Sequence, residues 1–155
     1  MADFFVLIKD LVKQAGFGIQ DMRPEGFLIG TVVQPRLMYI YISPATSDTV
    51  YFWIPEEILL FKSRREIPDW LPAYLERRTK NDLAKWNLNE AEDGYVYMLE
   101  YMAKISDLSP EFFEKICMSA MKERLSFSIW ANSIIRKQNC KSLTDINPKL
   151  ADLNL

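Results

Sequence analysis

Histidine is absent from the 155 residues of this sequence. Its absence removes the commonest general base and a common ligand of transition metals, and it makes a Ser-His-Asp or Cys-His arrangement impossible. Glycine is also scarce, with five residues, and neither glycine-rich phosphate-binding pattern, GxxxxGK(S/T) or GxGxxG, occurs. We therefore predict that the protein is not an enzyme and that it carries no metal and no cofactor.

The two cysteines, Cys117 and Cys140, have no CxxC spacing and are too few for a disulfide framework, which is typical of a reducing compartment. Cys117 falls on the apolar stripe of a predicted helix, where we expect a small buried side chain rather than a nucleophile. The N-terminal residues lack a signal-peptide pattern, and no apolar run approaches the ~20 residues that span a bilayer. The sequence therefore predicts a soluble cytoplasmic protein with no membrane partner.

An excess of positive charge is also missing, because 19 basic residues face 21 acidic ones and the net charge is −2. Nucleic-acid-binding proteins usually carry a clear positive excess, so we do not expect a nucleic-acid partner. Two basic clusters leave that alternative open, since with neighbouring aromatic residues they could form a groove. The simpler interpretation is a solvated surface whose charges are offset by nearby acidic residues. The clusters comprise Arg64, Arg65, Arg77, Arg78 and Lys80.

The best-marked element is a long helix that begins after Leu108 and runs to Lys137. The hydroxyl of Ser109 can accept a hydrogen bond from the first turn, and Pro110 suits the first helical position, where no N–H is needed. Apolar residues recur along this segment with the helical period, so one broad stripe should pack against a sheet.

Five segments alternate as strands do, and they begin near Phe27, Leu37, Thr49, Leu83 and Tyr95. Asp3 should cap a first helix over residues 4–15, and residues 18–26 should form a connector. Pro55 should open a helical region with Glu56 and Glu57 in its first turn, and a second helix should begin near Trp70. We therefore predict an α+β fold with one largely antiparallel five-stranded sheet and N-terminal, crossover and long C-terminal helices, in the order α-βββ-α-ββ-α. It should form a single domain over residues 1–137, followed by a C-terminal tail, 138–155.

This order of elements resembles the type III secretion chaperone-like fold, which includes the YbjN-like proteins of bacteria. The local match begins with a strand that carries W-x-L at 86–88 and continues with D-G-Y at 93–95, LSPEFF at 108–113 and the long helix. The resemblance covers most of the chain from Met1 to Lys137, and the paired arginines and the tail depart from it. It implies a protein-binding module that is often dimeric and has no enzymatic activity.

The second and third predicted strands carry aromatic residues at alternate positions, so Tyr39, Tyr41, Tyr51 and Trp53 should share one face of the sheet. A helix could cover this face and make it part of the core. Alternatively, it is a partner-binding surface, since Tyr and Trp dominate interface hot spots. We predict a chaperone-like, assembly or regulatory factor that binds another protein through this face. The alternative is a small-molecule or nucleic-acid binding module that uses the same face and the basic clusters.

Two groups of charged residues are candidates for chemistry, and for both we expect an exposed surface instead. Glu90, Glu92 and Asp93 cluster in a predicted turn without the ligand spacing of a calcium loop, so we expect a solvated hairpin tip. Glu100 and Lys104 share one face of the last strand. We expect no acid–base role for them, because nothing near them in sequence would shift their pKa values.

The long helix carries more apolar surface than it needs to cover a sheet in a monomer. We predict that this surplus forms a homodimer interface across a two-fold axis, unless the crossover helix and the tail cover it. Arg124 points close to the middle of the apolar stripe, so it should reach past the sheet edge or pair with a carboxylate such as Glu100. The predicted interface residues are Phe112, Met118, Leu125, Ile129 and Trp130.

Overall fold

The computed structural model describes residues 2–150, and within them three α-helices and six β-strands are joined by short turns. Single 3₁₀ turns follow the fourth strand, the last strand and the last helix. In chain order the elements are α1 (Ala2–Ala15), β1 (Gly18–Arg23), β2 (Gly26–Val33), β3 (Arg36–Pro44), β4 (Thr49–Phe61), α2 (Leu71–Arg78), β5 (Lys85–Ala91), β6 (Gly94–Lys104) and α3 (Pro110–Lys137).

The six strands form one antiparallel sheet in the order β1-β2-β3-β4-β6-β5. After β4 the chain crosses through α2 to the edge strand β5 and then returns as β6, which lies beside β4. The five predicted strands therefore belong to one sheet, and the α+β class is confirmed. The predicted strand number is wrong, because the sheet has six strands in the described chain.

The additional strand is β1, which occupies residues predicted to be a connector. It pairs with β2, and the register shifts between Ile19 and Asp21. Ile19 and Met22 are 41% and 50% exposed, so β1 buries little apolar surface. An edge strand needs only one ladder of backbone hydrogen bonds, and its side chains need not alternate in hydrophobicity. The sequence therefore carried no periodic signal for it.

The predicted helix at Pro55 is also wrong, because β4 continues through it to Phe61. β3 pairs with β4 only as far as Trp53, so Pro55 follows the point where those two strands separate. β4 stays paired with β6 through a register shift between Pro55 and Leu60. A proline is tolerated there because no ladder hydrogen bond to β3 is lost. The second predicted helix, near Trp70, is confirmed as α2.

The helices pack on one face of the sheet. Phe4 of α1 lies 6.1 Å from Phe27 of β2, and Phe113 of α3 lies 5.8 Å from Phe52 of β4, measured between ring centroids. All four rings are buried. The predicted cap of α3 is confirmed, since the Ser109 hydroxyl accepts a backbone N–H of the first turn at 3.1 Å. Burial of these rings supplies much of the driving force for folding.

The segment after Lys137, predicted to be a tail, packs against the domain as far as Asn147. Leu143 and Ile146 are buried in the core. The Gln138 side chain donates to the Asn147 carbonyl at 3.1 Å and accepts the Asn147 N–H at 2.8 Å, which ties the segment to the end of α3. Residues 151–155 of the predicted tail lie outside the described residues.

Candidate functional site

The face of the sheet opposite the helices carries Tyr39, Tyr41, Tyr51 and Trp53, which we call the aromatic face. Side chains alternate along β3 and β4, so the neighbouring aliphatic residues point to the helices and are buried. Among the described residues, none of the four belongs to the core or to the side chains packed against it. Tyr41 is 37% exposed and the others are half-buried. The structure therefore brings the four predicted residues together on an uncovered surface.

The rings of the aromatic face stack on one another. The centroids of Tyr41 and Trp53 are 4.3 Å apart with the planes inclined by 13°, and Tyr51 lies 6.3 Å from Trp53 at 20°. Tyr39 lies over Gly30 of β2, where an added Cβ would come within 2.9 Å of the tyrosine ring. Glycine is therefore needed at this position for the ring to lie flat. Such contacts fix the rings in a rigid platform.

A row of paired residues runs across the sheet through the centre of this face. In the strand register, Leu28 of β2 pairs with Tyr41, Tyr41 with Trp53, and Trp53 with Glu100 of β6. Met102, which pairs with Tyr51, is 58% exposed beside the row. Glu100 thus stands as a half-buried carboxylate at the border of an aromatic and apolar surface.

Two neutral donors hold the Glu100 carboxylate. The Tyr51 hydroxyl donates to Oε2, and the Asn89 amide donates to Oε1 at 2.7 Å. Burial raises the pKa of Tyr51 well above its ordinary value, and the hydrogen bond to Glu100 and its charge raise it further. We call Glu100, Tyr51, Trp53 and Asn89 the open site. Sequence reasoning placed Glu100 on an exposed face but did not connect it with the aromatic residues, because strand register is not visible in the sequence.

A cleft of about 310 Å³ adjoins the platform where it meets the β1–β2 turn. Tyr41 and Trp53 form its aromatic wall. Asp21, Arg23 and Glu25 form its polar rim, and Arg23 donates to Asp21 at 2.7 Å. The rim therefore carries a net negative charge, which disfavours a phosphate ligand at this end of the face.

The basic clusters are not equally available for binding. Arg78 is bound within the protein: its guanidinium donates to both carboxylate oxygens of Glu123, at 2.6 and 3.4 Å, and to the Tyr74 hydroxyl at 3.1 Å. Burial by itself would lower the pKa of Arg78, but the hydrogen bond and charge of Glu123 raise it above its ordinary value. The Arg64 guanidinium lies 5.1 Å from the ring centroid of Tyr95. The other three members, Arg65, Arg77 and Lys80, are exposed.

Arg124 pairs with Glu56 rather than with the suggested Glu100. The Arg124 Nε lies 3.5 Å from Glu56 Oε2, and Ser128 donates to the same oxygen at 3.0 Å. Glu56, predicted to lie in a helix, points inward from β4 and is 4% exposed. The two carboxylates are on opposite faces of the sheet, so Arg124 cannot serve both.

The residues of the predicted dimer interface lie in different environments. Trp130 contacts Tyr74 of α2, with ring centroids 4.6 Å apart, and Leu125 is buried. Phe112 lies 6.0 Å from the Tyr101 ring, and Met118 is half-buried. Ile129 is 50% exposed. Thus α2 covers one side of α3, and Ile129 is the most exposed of the five.

The remaining candidates are a turn with three carboxylates and a cysteine of α3. Glu90, Glu92 and Asp93 are exposed, and no group of acidic or cysteine side chains in residues 2–150 could hold a metal ion. The Cys117 thiol is fully buried, and this burial raises its pKa well above the ordinary value, which makes it a poor nucleophile. None of the helices between residues 2 and 150 has the length and hydrophobicity needed to cross a membrane.

No protein-family model and no curated protein matches the sequence. Two solved structures are similar in fold. One is the Yersinia pestis type III secretion chaperone SycH in complex with a stable fragment of YscM2, with a TM-score of 0.51 and 11% identity over 78% of this chain and 96% of that one. The other is the HopA1–SchA chaperone–effector complex, with a TM-score of 0.53 and 12% identity over 79% of this chain and 91% of that one.

These comparisons establish the class of the fold, which is that of the type III secretion chaperones. The resemblance predicted from the order of strands and helices is therefore confirmed at the level of fold. At 11% and 12% identity the likeness concerns the fold alone. The closer resemblance to YbjN-like proteins stays a prediction.

Proposed function

We propose that the protein is a non-enzymatic binding module that works as a chaperone-like, assembly or regulatory factor, and that it binds another protein through the aromatic face. The observation that supports this most directly is the stacked pair of Tyr41 and Trp53 on a sheet face that the described helices leave uncovered. A rigid platform of Tyr and Trp loses little conformational entropy on binding and buries a large area, which is why such residues dominate interface hot spots. The similar folds are described in complex with partner proteins, which supports this proposal.

Position-specific cross-linking in the native host tests this function. A photoreactive phenylalanine analogue at Tyr41 should give a cross-linked protein product, while the same analogue at Lys9, exposed on α1, should not. Adding Trp53→Ala in the same chain should remove the product, with the fold checked by circular dichroism. Equal cross-linking from Lys9, or a product that persists with Trp53→Ala, would contradict the proposal.

We also retain homodimer formation through α3 as a proposal, in a narrower form. Because Trp130 contacts Tyr74 within the chain, a polar residue there would disturb folding as well as association. Ile129→Asn is the cleaner variant, since Ile129 is half exposed. It should convert a dimer at micromolar concentration into a folded monomer in analytical ultracentrifugation. A wild-type protein that is already monomeric under these conditions would refute a dimer through this surface.

The small-ligand alternative has one observation in its favour, the cleft of about 310 Å³ beside Tyr41 and Trp53. Its volume is at the lower limit for a small-molecule site. The nucleic-acid alternative is weakened, because Arg78 is held by Glu123 and does not offer its charge to a phosphate.

A further inference from the structure

We propose that the open site recognises an arginine side chain of the partner protein, with Glu100 as its counter-charge and Trp53 and Tyr51 as the rings it lies against. This inference rests on the proposed function and specifies what the aromatic face selects. A face made only of apolar residues would accept many partners. A carboxylate at its border adds a requirement for positive charge.

Within residues 2–150, no cation is paired with the charge of Glu100. Lys85 is the register partner of Glu100 on β5, but the Lys85 ammonium donates instead to the Thr79 carbonyl and, at 3.1 Å, to the Lys80 carbonyl. In the described part of the chain, the side-chain donors to Glu100 are the neutral groups of Tyr51 and Asn89, which fix its position without removing its charge.

The rings of Trp53 and Tyr51 belong to residues that adjoin Glu100 in the sheet. Trp53 is the direct register partner of Glu100, and the Tyr51 hydroxyl reaches the same carboxylate. Planar guanidinium groups stack on aromatic faces and bind carboxylates through paired N–H donors, which a lysine ammonium does less well. The open site therefore brings together a carboxylate and aromatic rings, which are the two kinds of group that an arginine contacts.

This chain already binds one of its own arginines in a similar set of groups. Arg78 donates to Glu123, while its guanidinium carbon lies 5.7 Å from the Tyr74 ring centroid and 5.5 Å from that of Phe127. The Trp86 indole N–H donates to Glu123 at 3.2 Å, as Asn89 and Tyr51 donate to Glu100. We call this arrangement the closed site. The open site also has a carboxylate, neutral donors and rings, and no arginine of the described chain pairs with its carboxylate.

The probe is acetyl-arginine amide, compared with acetyl-citrulline amide, which has nearly the same shape and no charge. Each is titrated into the full chain at low salt, and binding is followed by the indole N–H resonance of Trp53 in NMR spectra, assigned with Trp53→Phe. The arginine probe should shift this resonance in a saturable manner, and the citrulline probe should bind at least about tenfold more weakly, because charge-assisted hydrogen bonds are roughly twice as strong as neutral ones.

Glu100→Gln is the decisive variant, and Glu92→Gln is its matched control. Glu92 is exposed in the β5–β6 turn, so its replacement removes the same charge away from the platform. Glu100→Gln should lower the affinity for the arginine probe about tenfold, and Glu92→Gln should change it less than about twofold. An equal loss in both variants would mean general electrostatic attraction and would overturn the proposal, as would equal binding of the citrulline probe.

A second variant covers the case in which Glu100→Gln does not fold. Trp53→Leu keeps the carboxylate and removes the ring, so it should weaken binding of the arginine probe several-fold, as read from the backbone amide resonance of Glu100. Unchanged affinity in Trp53→Leu would overturn the proposal.

The two proposals fail in different ways. If cross-linking from Tyr41 depends on Trp53 but the arginine probe does not bind, the protein-binding function stands and this inference is wrong. If the probe binds in a Glu100-dependent manner and the host protein cross-links only from other surfaces, the cation site stands and the proposed function of the aromatic face is wrong.

Discussion

The closed site and the open site place similar groups in different surroundings. In the closed site the Glu123 and Arg78 side chains are 10% and 15% exposed, and the pair lies between α2 and α3. In the open site Glu100 lies half-buried on the outer face of the sheet, and no basic side chain between residues 2 and 150 forms an ion pair with it. The first arrangement joins two helices of the same chain. The second presents a fixed charge on a surface where a partner could supply the arginine.

The difference shows how similar residues form an ion pair between two helices in one place and an accessible carboxylate on a sheet face in another. A buried carboxylate without a partner is strongly unfavourable, so Glu123 depends on Arg78. A half-buried carboxylate with two neutral hydrogen-bond donors is tolerated without a counter-ion. The open site can therefore remain unpaired in the free protein, and the comparison predicts a graded series of stability effects.

The largest effect is expected at the closed site. Glu123→Leu should lower the free energy of unfolding by about 3–5 kcal/mol, because it leaves Arg78 buried without a counter-charge. Urea denaturation followed by tryptophan fluorescence measures this loss. The double variant Arg78→Met, Glu123→Leu should recover much of the stability. Glu114→Leu, an exposed control on the same helix, should change it by less than about 0.5 kcal/mol. A double variant no more stable than Glu123→Leu would contradict this account.

An intermediate effect is expected at the second ion pair of α3. Glu56→Leu should destabilise the protein by about 1–2 kcal/mol, because the Arg124 side chain is 28% exposed and can reach water once its partner is removed. The same urea titration serves as the measurement, with Glu57→Leu, at the exposed neighbouring position, as control. A loss as large as that of Glu123→Leu would mean that exposure of the arginine does not decide the size of the effect.

The parts of the fold that could be read from the sequence are those whose signal is periodic and local. Alternation in β3 and β4 predicted the aromatic face, and the cap at Ser109 predicted the start of α3. β1 was missed because its side chains are exposed, and Pro55 was misread because the local preference of proline was outweighed by the inward burial of Leu59 and Phe61. Leu143 and Ile146 were missed because two isolated apolar residues have no period.

The side-chain pairings of the closed and open sites could not be predicted from sequence patterns, because they depend on contacts between distant positions. Arg78 and Glu123 are 45 positions apart, and Tyr51 and Glu100 are 49 apart. The sequence shows an arginine in a basic cluster and a glutamate in a strand. The packing of α2 on α3 pairs Arg78 with Glu123. The register of β4 with β6 places Glu100 beside Tyr51 and Trp53, where no ion pair forms among residues 2–150.

A small stability effect is expected at the open site. Glu100→Gln should lower the free energy of unfolding by about 1 kcal/mol or less, since the glutamine amide keeps one acceptor for the two donors and no buried cation is left behind. The urea titration used for Glu123→Leu allows a direct comparison. A loss of several kcal/mol would show that Glu100 is a structural residue and would remove the contrast between the two sites.

The smallest effect concerns the ionisation of Tyr51. Because the pKa of Tyr51 is raised in the folded protein, first by burial and then by Glu100, the folded state keeps this proton at pH values where the unfolded chain loses it. The stability that this proton contributes is fully present below about pH 10, which is the pKa of tyrosine in the unfolded chain. It is lost as the pH rises toward the higher pKa of Tyr51 in the folded protein. The pKa values of Tyr74 and Tyr97 are also raised by burial, so the contribution of Tyr51 must be taken as a difference.

Stability should therefore be measured between pH 9 and 11 for the wild type, Tyr51→Phe and Glu100→Gln. The decline with rising pH should be shallower in Tyr51→Phe, which has no proton to lose at this position. Glu100→Gln should be intermediate, because it removes the hydrogen bond to the carboxylate and its charge but leaves the burial of the ring. If the stability of Glu100→Gln declines as steeply with pH as that of the wild type, the hydroxyl of Tyr51 does not sense the Glu100 charge. The carboxylate of the open site would then not be held where an arginine lying against the rings would meet it.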